Sequence, residues 1–184
     1  YTGNIIVAVN PQDLYFSKLK LAEGPRIIRA EGGQERSDSV MKSLPYVKTD
    51  WVMVHDAARP LVCTDDLNAL AQSRSDSDNA AGFILASRVS DTLKQVKDGI
   101  IEKTVPREHI YRAFTPQMFR TELLRRALSY VKEQNLPITD DASALELMHY
   151  KVRIIEGKGD NFKLTTTDDL NLALLLINNR NKQK

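Results

Sequence analysis

The sequence predicts an α/β fold: three layers, a mostly parallel twisted sheet of the Rossmann-like kind, and one projecting β-arm. Three observations carry this reading. Apolar runs without polar alternation recur at 4–9, 51–54 and 81–86, as strands buried on both faces do, and further strand-like segments stand at 26–30 and 152–155. Helix-length segments opened by Ser, Thr or Asp separate most of them, the alternation that builds parallel sheets. Residues 89–111 break the pattern. There, 91–96 and 100–105 are strand-like but polar on one face, with Lys97-Asp98-Gly99 as the turn between them. A length of 184 residues suits one domain over 1–184, with the arm inserted at 89–111.

Taken in order, 4–9 (NIIVAV) is a strand, and Asn10-Pro11 turns into a short helix over 13–19. Residues 26–30 form the next strand, ending in Gly32-Gly33. Paired glycines let the backbone approach a ligand, and Ser37 or Asp38 caps a helix through Leu44. That junction reads equally as a plain strand–turn–helix link. Residues 51–54 (WVMV) form the central strand. Thr64 caps a helix to about Ser73, 73–79 is a polar loop, and 81–86 is a strand. After the arm, 111–114 leads into Thr115-Pro116-Gln117, read as a strand end and turn because proline removes a ladder donor. Residues 122–134 carry apolar side chains at 123, 124, 127, 128 and 131, an amphipathic helix. Thr139 caps a helix to about Met148. Residues 152–155 form a strand, 156–161 a glycine-containing loop, and 163–164 a short extended piece. Thr167, Asp168 and Asp169 start a last helix over 170–177, apolar nearly all round and therefore expected in the core.

Composition excludes several classes. Lys and Arg number 26 against 24 Asp and Glu, a net charge of +2, and no basic stripe interleaved with aromatics points to nucleic acid. The basic tail at 180–184 reads as a frayed, solvated end. Cys63 is the single cysteine, so neither a disulfide framework nor a thiol metal site is expected, which suits a reducing cytoplasm. No run of about 20 apolar residues marks a membrane span. His55, His109 and His149 are scattered, with no HExxH or Cys/His spacing, so no protein metal site is expected.

What chemistry there is collects at strand ends: Gly33, Asp56, Arg59, Thr92, Arg107, Thr115, Thr139 and Lys163. In open α/β sheets ligands bind outside the carboxyl ends of strands. Thr, Arg and Lys are what a phosphate site needs, since hydroxyls orient oxygens, Arg binds bidentately and Lys adds a compact charge. Asp56 and Arg59 also have a plainer reading, as a pair closing a turn. His55 beside them reads as a structural hydrogen-bonder before it reads as a base.

Seven segments, GGQERSDSV at 32–40, VHDAARP at 54–60, SDT at 90–92, TVPR at 104–107, AFTPQMF at 113–119, TDDASALE at 139–146 and GKGDNFKLTT at 157–166, occur in one order. Together they make the chain resemble the 2-C-methyl-D-erythritol 4-phosphate cytidylyltransferases from end to end. The resemblance implies CTP and methylerythritol phosphate as substrates, Mg2+ carried mainly by the CTP phosphates, and a homodimer formed through the arm. It implies that Gly33, Ser39, Asp56 and Ala57 contact the nucleotide. Asp56, Arg59, Thr92, Thr115 and Thr139 would hold the methylerythritol phosphate, with Arg107 reaching in from the partner's arm. Lys163 would lie between substrate phosphate and nucleotide, and Lys163 and Arg107 would be the catalytic pair. Gln34 stands where some members carry an acid. The family's glycine-rich loop precedes the strand at 4–9, so the expectation is a chain from which a first strand and loop have been left off. Two other readings share these residues: a cytidylyltransferase for another polyol phosphate, such as ribitol 5-phosphate, and a catalytically silent dimerisation or regulatory module.

Overall fold

In the computed structural model, which describes residues 3–76 and 79–182, β1 (Ile5–Val9) and β2 (Ile27–Glu31) pair in parallel as a two-stranded sheet. Between them the expected helix over 13–19 is replaced by two 3-10 turns, Phe16–Lys18 and Lys20–Glu23. Leu14, Tyr15, Leu19 and Leu21 are all exposed there. With no apolar face to bury, a short segment does not repay α-helix nucleation. Asp13 Oδ1 instead accepts from the Tyr15 and Phe16 N–H groups.

The described chain divides into two compact units: residues 3–54, 79–82 and 118–152 in the first, and 55–76, 83–117 and 153–182 in the second. In the first, α1 (Arg36–Ser43) follows β2, and β3 (Trp51–Val54) falls on the WVMV run. The cap of α1 is Glu35, not Ser37 or Asp38. Asp38 lies inside the first turn, and its Oδ2 accepts the Glu35 N–H at 3.4 Å. The amphipathic helix α3 (Thr121–Glu133) turns Leu124, Ala127, Leu128 and Val131 inward. Helix α4 (Asp141–Leu147) packs on α3 and is capped by Asp140 instead of Thr139, with Oδ1 accepting the Ser143 N–H at 2.9 Å. A carboxylate at the amino end of a helix is favoured by the dipole as well as by the bond.

In the second unit, α2 (Thr64–Gln72) has Cys63 at its cap position, one residue before the expected Thr64. Residues 73–76 form a 3-10 turn within the segment expected as loop; Ser77 and Asp78 lie outside the described residues. A four-stranded sheet has the order β3-β7-β4-β8, its further strands being β4 (Gly82–Arg88), β7 (Tyr111–Arg120) and β8 (Val152–Glu156). Between β4 and β7 the chain leaves as a hairpin, β5 (Leu93–Lys97) and β6 (Ile100–Val105). Its turn holds Asp98 at φ 50° and Gly99 at φ 80°, the two positive values that Asp-Gly accommodates.

This hairpin corrects the expectation of a mostly parallel sheet. The chain goes out along the arm and comes straight back, so Val89 N–H meets the Ile110 carbonyl and β7 lies antiparallel to β4. The four-stranded sheet is therefore mixed. The turn expected at 115–117 is also corrected. β7 runs through a cis Thr115–Pro116 peptide to Arg120, buried without interruption from Phe114 to Phe119. Burial on both faces outweighs the one ladder donor that proline lacks.

The last helix, α5 (Thr167–Lys182), departs most from expectation. Of its residues only Ala173 is buried among those described, while Leu170, Leu172, Leu174 and Leu175 are exposed, the last at 62%. An apolar composition states what a helix can bury, not what covers it. Its start is held by Asp169, whose carboxylate accepts the Thr165 and Thr166 N–H groups and the Thr165 hydroxyl, which lowers its pKa to about 2. Arg180, read as part of a frayed tail, is anchored instead: it donates to the Leu61 carbonyl at 2.8 Å and to Asp160 at 2.7 Å. No helix among the described residues is long and apolar enough to cross a membrane.

Candidate active site

Strand β3 ends at Val54, and the next five residues turn tightly, with the Arg59 N–H bonded to the Asp56 carbonyl at 2.9 Å. This turn places both side chains on one side. Arg59 Nε stands 3.6 Å from Asp56 Oδ2, and both side chains are more than four-fifths buried. The plain reading of Asp56 and Arg59 as a turn pair is thus correct as far as it goes, but the pair is not closed on itself. Lys163 Nζ lies 3.9 Å from the same Asp56 oxygen, and Arg59 donates to the Asn161 carbonyl at 3.0 Å.

Thr115 joins this group from β7. Its Oγ1 accepts the Asp56 N–H at 2.9 Å and lies 3.0 Å from His55 Nδ1. His55 Nε2 is 3.0 Å from the Arg59 carbonyl. A carbonyl only accepts, so the ring proton sits on Nε2, and Nδ1 accepts from the Thr115 hydroxyl. Desolvation is the largest influence on His55 and lowers its pKa. The Arg59 charge adds to that shift, while the Arg59 carbonyl and Asp56 oppose it. A neutral His55 is what this bonding pattern requires.

Asn161 is a site residue that the sequence does not announce, since Gly-Asp-Asn reads as turn chemistry. It is 2% exposed and donates from Nδ2 to the Thr115 carbonyl at 2.8 Å. Three residues on, the Leu164 N–H bonds the Ala58 carbonyl at 2.8 Å. The segment 161–164 is thereby laid along the turn at 56–59, with Lys163 between the two attachments. The proximity of GKGDN to Lys163 in sequence is the only signal that could have found it.

The remaining candidates fall elsewhere. In the first unit, Gly33 and Ser39 bond each other: the Gly33 N–H donates to Ser39 Oγ at 2.9 Å, and that hydroxyl donates to the Glu35 carbonyl. Gly33 has no room for a side chain, since a Cβ there would lie 2.1 Å from Asp38 Cβ. Thr139 is exposed and its N–H donates to Ser143 Oγ at 3.3 Å. It lines a cleft of about 390 Å³ with Arg36, Met41, Lys132 and Ile138, below which Arg36 pairs with the buried Asp141 at 2.8 Å. In the second unit, Thr92 and Arg107 are exposed at the base of the arm, where the Arg107 guanidinium donates to the Ser90 carbonyl. Ala57, beside Asp56, is exposed.

Asp56, Arg59, Thr115 and Lys163 therefore form one cationic and hydroxyl-bearing group, with a carboxylate shared between the two cations. Such a group suits a phosphorylated ligand: the cations supply charge and the buried partners hold their geometry.

The family model of IspD, 2-C-methyl-D-erythritol 4-phosphate cytidylyltransferase, matches residues 1–179. The enzyme of that name from Aliivibrio fischeri strain MJ11 is 44% identical over 186 residues, covering 98% of this chain and 77% of its own length. That from Pseudoalteromonas translucida is 46% identical over 180 residues, covering 95% and 72%. Among solved structures, the Thermus thermophilus enzyme superposes with a TM-score of 0.83 at 31% identity, over 95% of this chain and 82% of that one. The Francisella tularensis enzyme does so at 0.79 and 35%, over 94% and 79%. The chain belongs to the 2-C-methyl-D-erythritol 4-phosphate cytidylyltransferase family.

Proposed function

We propose that this protein transfers the cytidylyl group of CTP to 2-C-methyl-D-erythritol 4-phosphate, giving 4-diphosphocytidyl-2-C-methyl-D-erythritol and pyrophosphate in the non-mevalonate route to isoprenoid precursors. The observation that carries the reading is the group built on Asp56, where Arg59, Lys163 and Thr115 meet within hydrogen-bond or ion-pair distance. A phosphate oxygen of methylerythritol phosphate attacks the α-phosphorus of CTP. One P–O bond forms, the bond to the β-phosphate oxygen breaks, and pyrophosphate leaves with the electron pair. No protein nucleophile takes part, so the protein acts by position and charge.

Two anions must come together, and Lys163 and Arg59 offset their repulsion. Asp56 and the Asn161 carbonyl hold Arg59 in place in the free protein, so that cation needs no rearrangement when the phosphate arrives. Thr115 contributes a hydroxyl and Thr139 a second, from the start of α4. Gly33, Ser39 and Ala57 take the cytidine nucleotide together with Asp56. Thr92 and Arg107 act from the base of the arm, Arg107 in the site of a partner subunit, which makes the protein a homodimer. Lys163 and Arg107 are the catalytic residues of this scheme.

Mg2+ carried by the triphosphate, a hard cation suited to hard phosphate oxygens, would supply charge neutralisation at the reacting phosphorus. Asp56, the carboxylate of this group, fits such an ion only as a supplementary oxygen, since its Oδ2 already serves two cations.

The test is pyrophosphate release with CTP, Mg2+ and either methylerythritol phosphate or ribitol 5-phosphate. Turnover with the first and at most a few per cent of that rate with the second is the expected result. Preference for ribitol 5-phosphate would reassign the acceptor, and no turnover or CTP binding would leave the chain a silent module.

A further inference from the structure

We propose that Asn161 is a positioning residue for this transfer: its buried amide fixes the main-chain segment that aims Arg59 and Lys163. This rests on the reading of those two cations as phosphate-binding residues given above. Three bonds carry it. The Asn161 side chain donates to the Thr115 carbonyl at 2.8 Å, in a site 2% exposed. The Asn161 carbonyl accepts from Arg59 at 3.0 Å. The Leu164 N–H closes the segment onto the Ala58 carbonyl at 2.8 Å.

Without the first bond, the carbonyl that receives Arg59 is attached to β7 only through the loop. Arg59 then loses a fixed acceptor, and Lys163, two residues along, loses its approach to Asp56. The loop has other anchors that leave this function to Asn161. Lys158 pairs with Asp65 at 3.0 Å and Asp160 with Arg180 at 2.7 Å, so the 157–160 portion stays in place whatever happens at 161. The effect of losing the amide is therefore local to the phosphate end of the site. A carboxylate of the same size at 161 has no proton to donate and sets an anion against the Thr115 carbonyl, so shape alone does not substitute for the donor.

The experiment measures KM for methylerythritol phosphate and for CTP, kcat and thermal stability in Asn161→Ala and Asn161→Asp, each alone and combined with Arg59→Ala. Loss of one buried donor predicts roughly a ten- to hundred-fold rise in KM for methylerythritol phosphate, with KM for CTP within about two-fold of wild type. In the Arg59→Ala background the same changes add clearly less than they cost in wild type, because part of the effect passes through Arg59 and only the part through Lys163 remains. Folded variants with an unchanged KM for methylerythritol phosphate, or effects that add in full to those of Arg59→Ala, overturn the proposal. Failure of both variants to fold also overturns it, making Asn161 a residue of stability. A wild-type protein that does not bind methylerythritol phosphate by calorimetry removes the underlying reading instead, whatever the variants do.

Discussion

Asp56 Oδ2 faces two cations at once, Arg59 Nε at 3.6 Å and Lys163 Nζ at 3.9 Å, but the two are held very differently. The Arg59 side chain is 17% exposed and bonded to the Asn161 carbonyl, whereas Lys163 is 49% exposed. Arg59 is part of the architecture, and Lys163 is free to follow a ligand. Lys163→Ala should therefore lower turnover by roughly 10²–10³, the cost of losing a transition-state donor. Its melting temperature should match wild type, since a half-exposed pair at this distance contributes little. Near-normal turnover in a folded Lys163→Ala variant would remove Lys163 from the mechanism. Large destabilisation would make it structural.

Gly33 offers a contrast. A Cβ at this position would sit 2.1 Å from Asp38 Cβ and 2.9 Å from the Ser39 backbone nitrogen, so the start of α1 would have to move. Gly33→Ala should cost on the order of 1–3 kcal/mol, as overpacking does. It should also separate the Gly33 N–H from Ser39 Oγ, and with it disturb the proposed nucleotide contacts. Gly3→Ala is the control, because nothing lies within 4 Å of a Cβ there. Denaturant midpoints of the two variants check this directly. Equal midpoints would mean that α1 shifts without penalty.

The strands were legible as short apolar runs bounded by turn residues, too short for a helix, although β1, β2 and β8 are only partly buried, with Ile5 49% and Ile154 47% exposed. Helix caps were displaced by one to three residues where several capping residues adjoin. Thr139-Asp140 and Glu35 to Asp38 each offer a choice that backbone geometry decides, not composition. The direction of β7 was hidden in the arm, since a hairpin excursion and a crossover both separate two strands by similar lengths. Of the site, Asp56, Arg59, Thr115 and Lys163 were legible as phosphate-binding chemistry, although Thr115 lies inside β7 and Lys163 in a loop, not at strand ends. His55 was legible as a structural hydrogen-bonder, though not its partners, and Asn161 was not legible at all, because it acts through a main-chain group, the Thr115 carbonyl, which no residue pattern displays.

His55 adds an acid-sensitive contribution to the fold, a small one because the residue keeps much of its surface in solvent. Desolvation lowers its pKa below the ordinary value near 6.5, so between that value and the lowered one the unfolded chain binds the proton and the folded chain does not. Stability is then full above about pH 6.5 and declines as the pH falls toward the lowered folded value, by the sign of the linkage relation. Protonation also places a hydrogen on Nδ1, so the Thr115 hydroxyl no longer donates to the ring and must re-aim. Denaturant midpoints followed from pH 7.5 to 5.5 should decline in wild type and decline less in His55→Gln, which does not titrate. Parallel profiles for the two would show that other groups govern the acid limb.

The arm poses the most demanding test, because Arg107 is proposed to act in a neighbour's site. Its guanidinium lies at the arm's base on the Ser90 carbonyl, while Val96, Ile100 and Ile101 stand exposed toward the tip, Ile100 at 72%. Apolar side chains on a two-stranded arm with no sheet beneath them fit an isologous contact with a second copy. If each site takes Lys163 from one chain and Arg107 from the other, Arg107→Ala and Lys163→Ala homodimers are both impaired. Co-expressed, they form hybrids in which one site carries both defects and the other carries none. Random pairing makes about half of all dimers hybrid, so restored activity should approach about a quarter of wild type. A mixture no more active than the separate variants would place Arg107 and Lys163 in the same chain's site, or place Arg107 in no site at all. Size-exclusion measurement of the same mixtures separates these outcomes from a failure to dimerise, since impaired pairing lowers the assembled fraction itself.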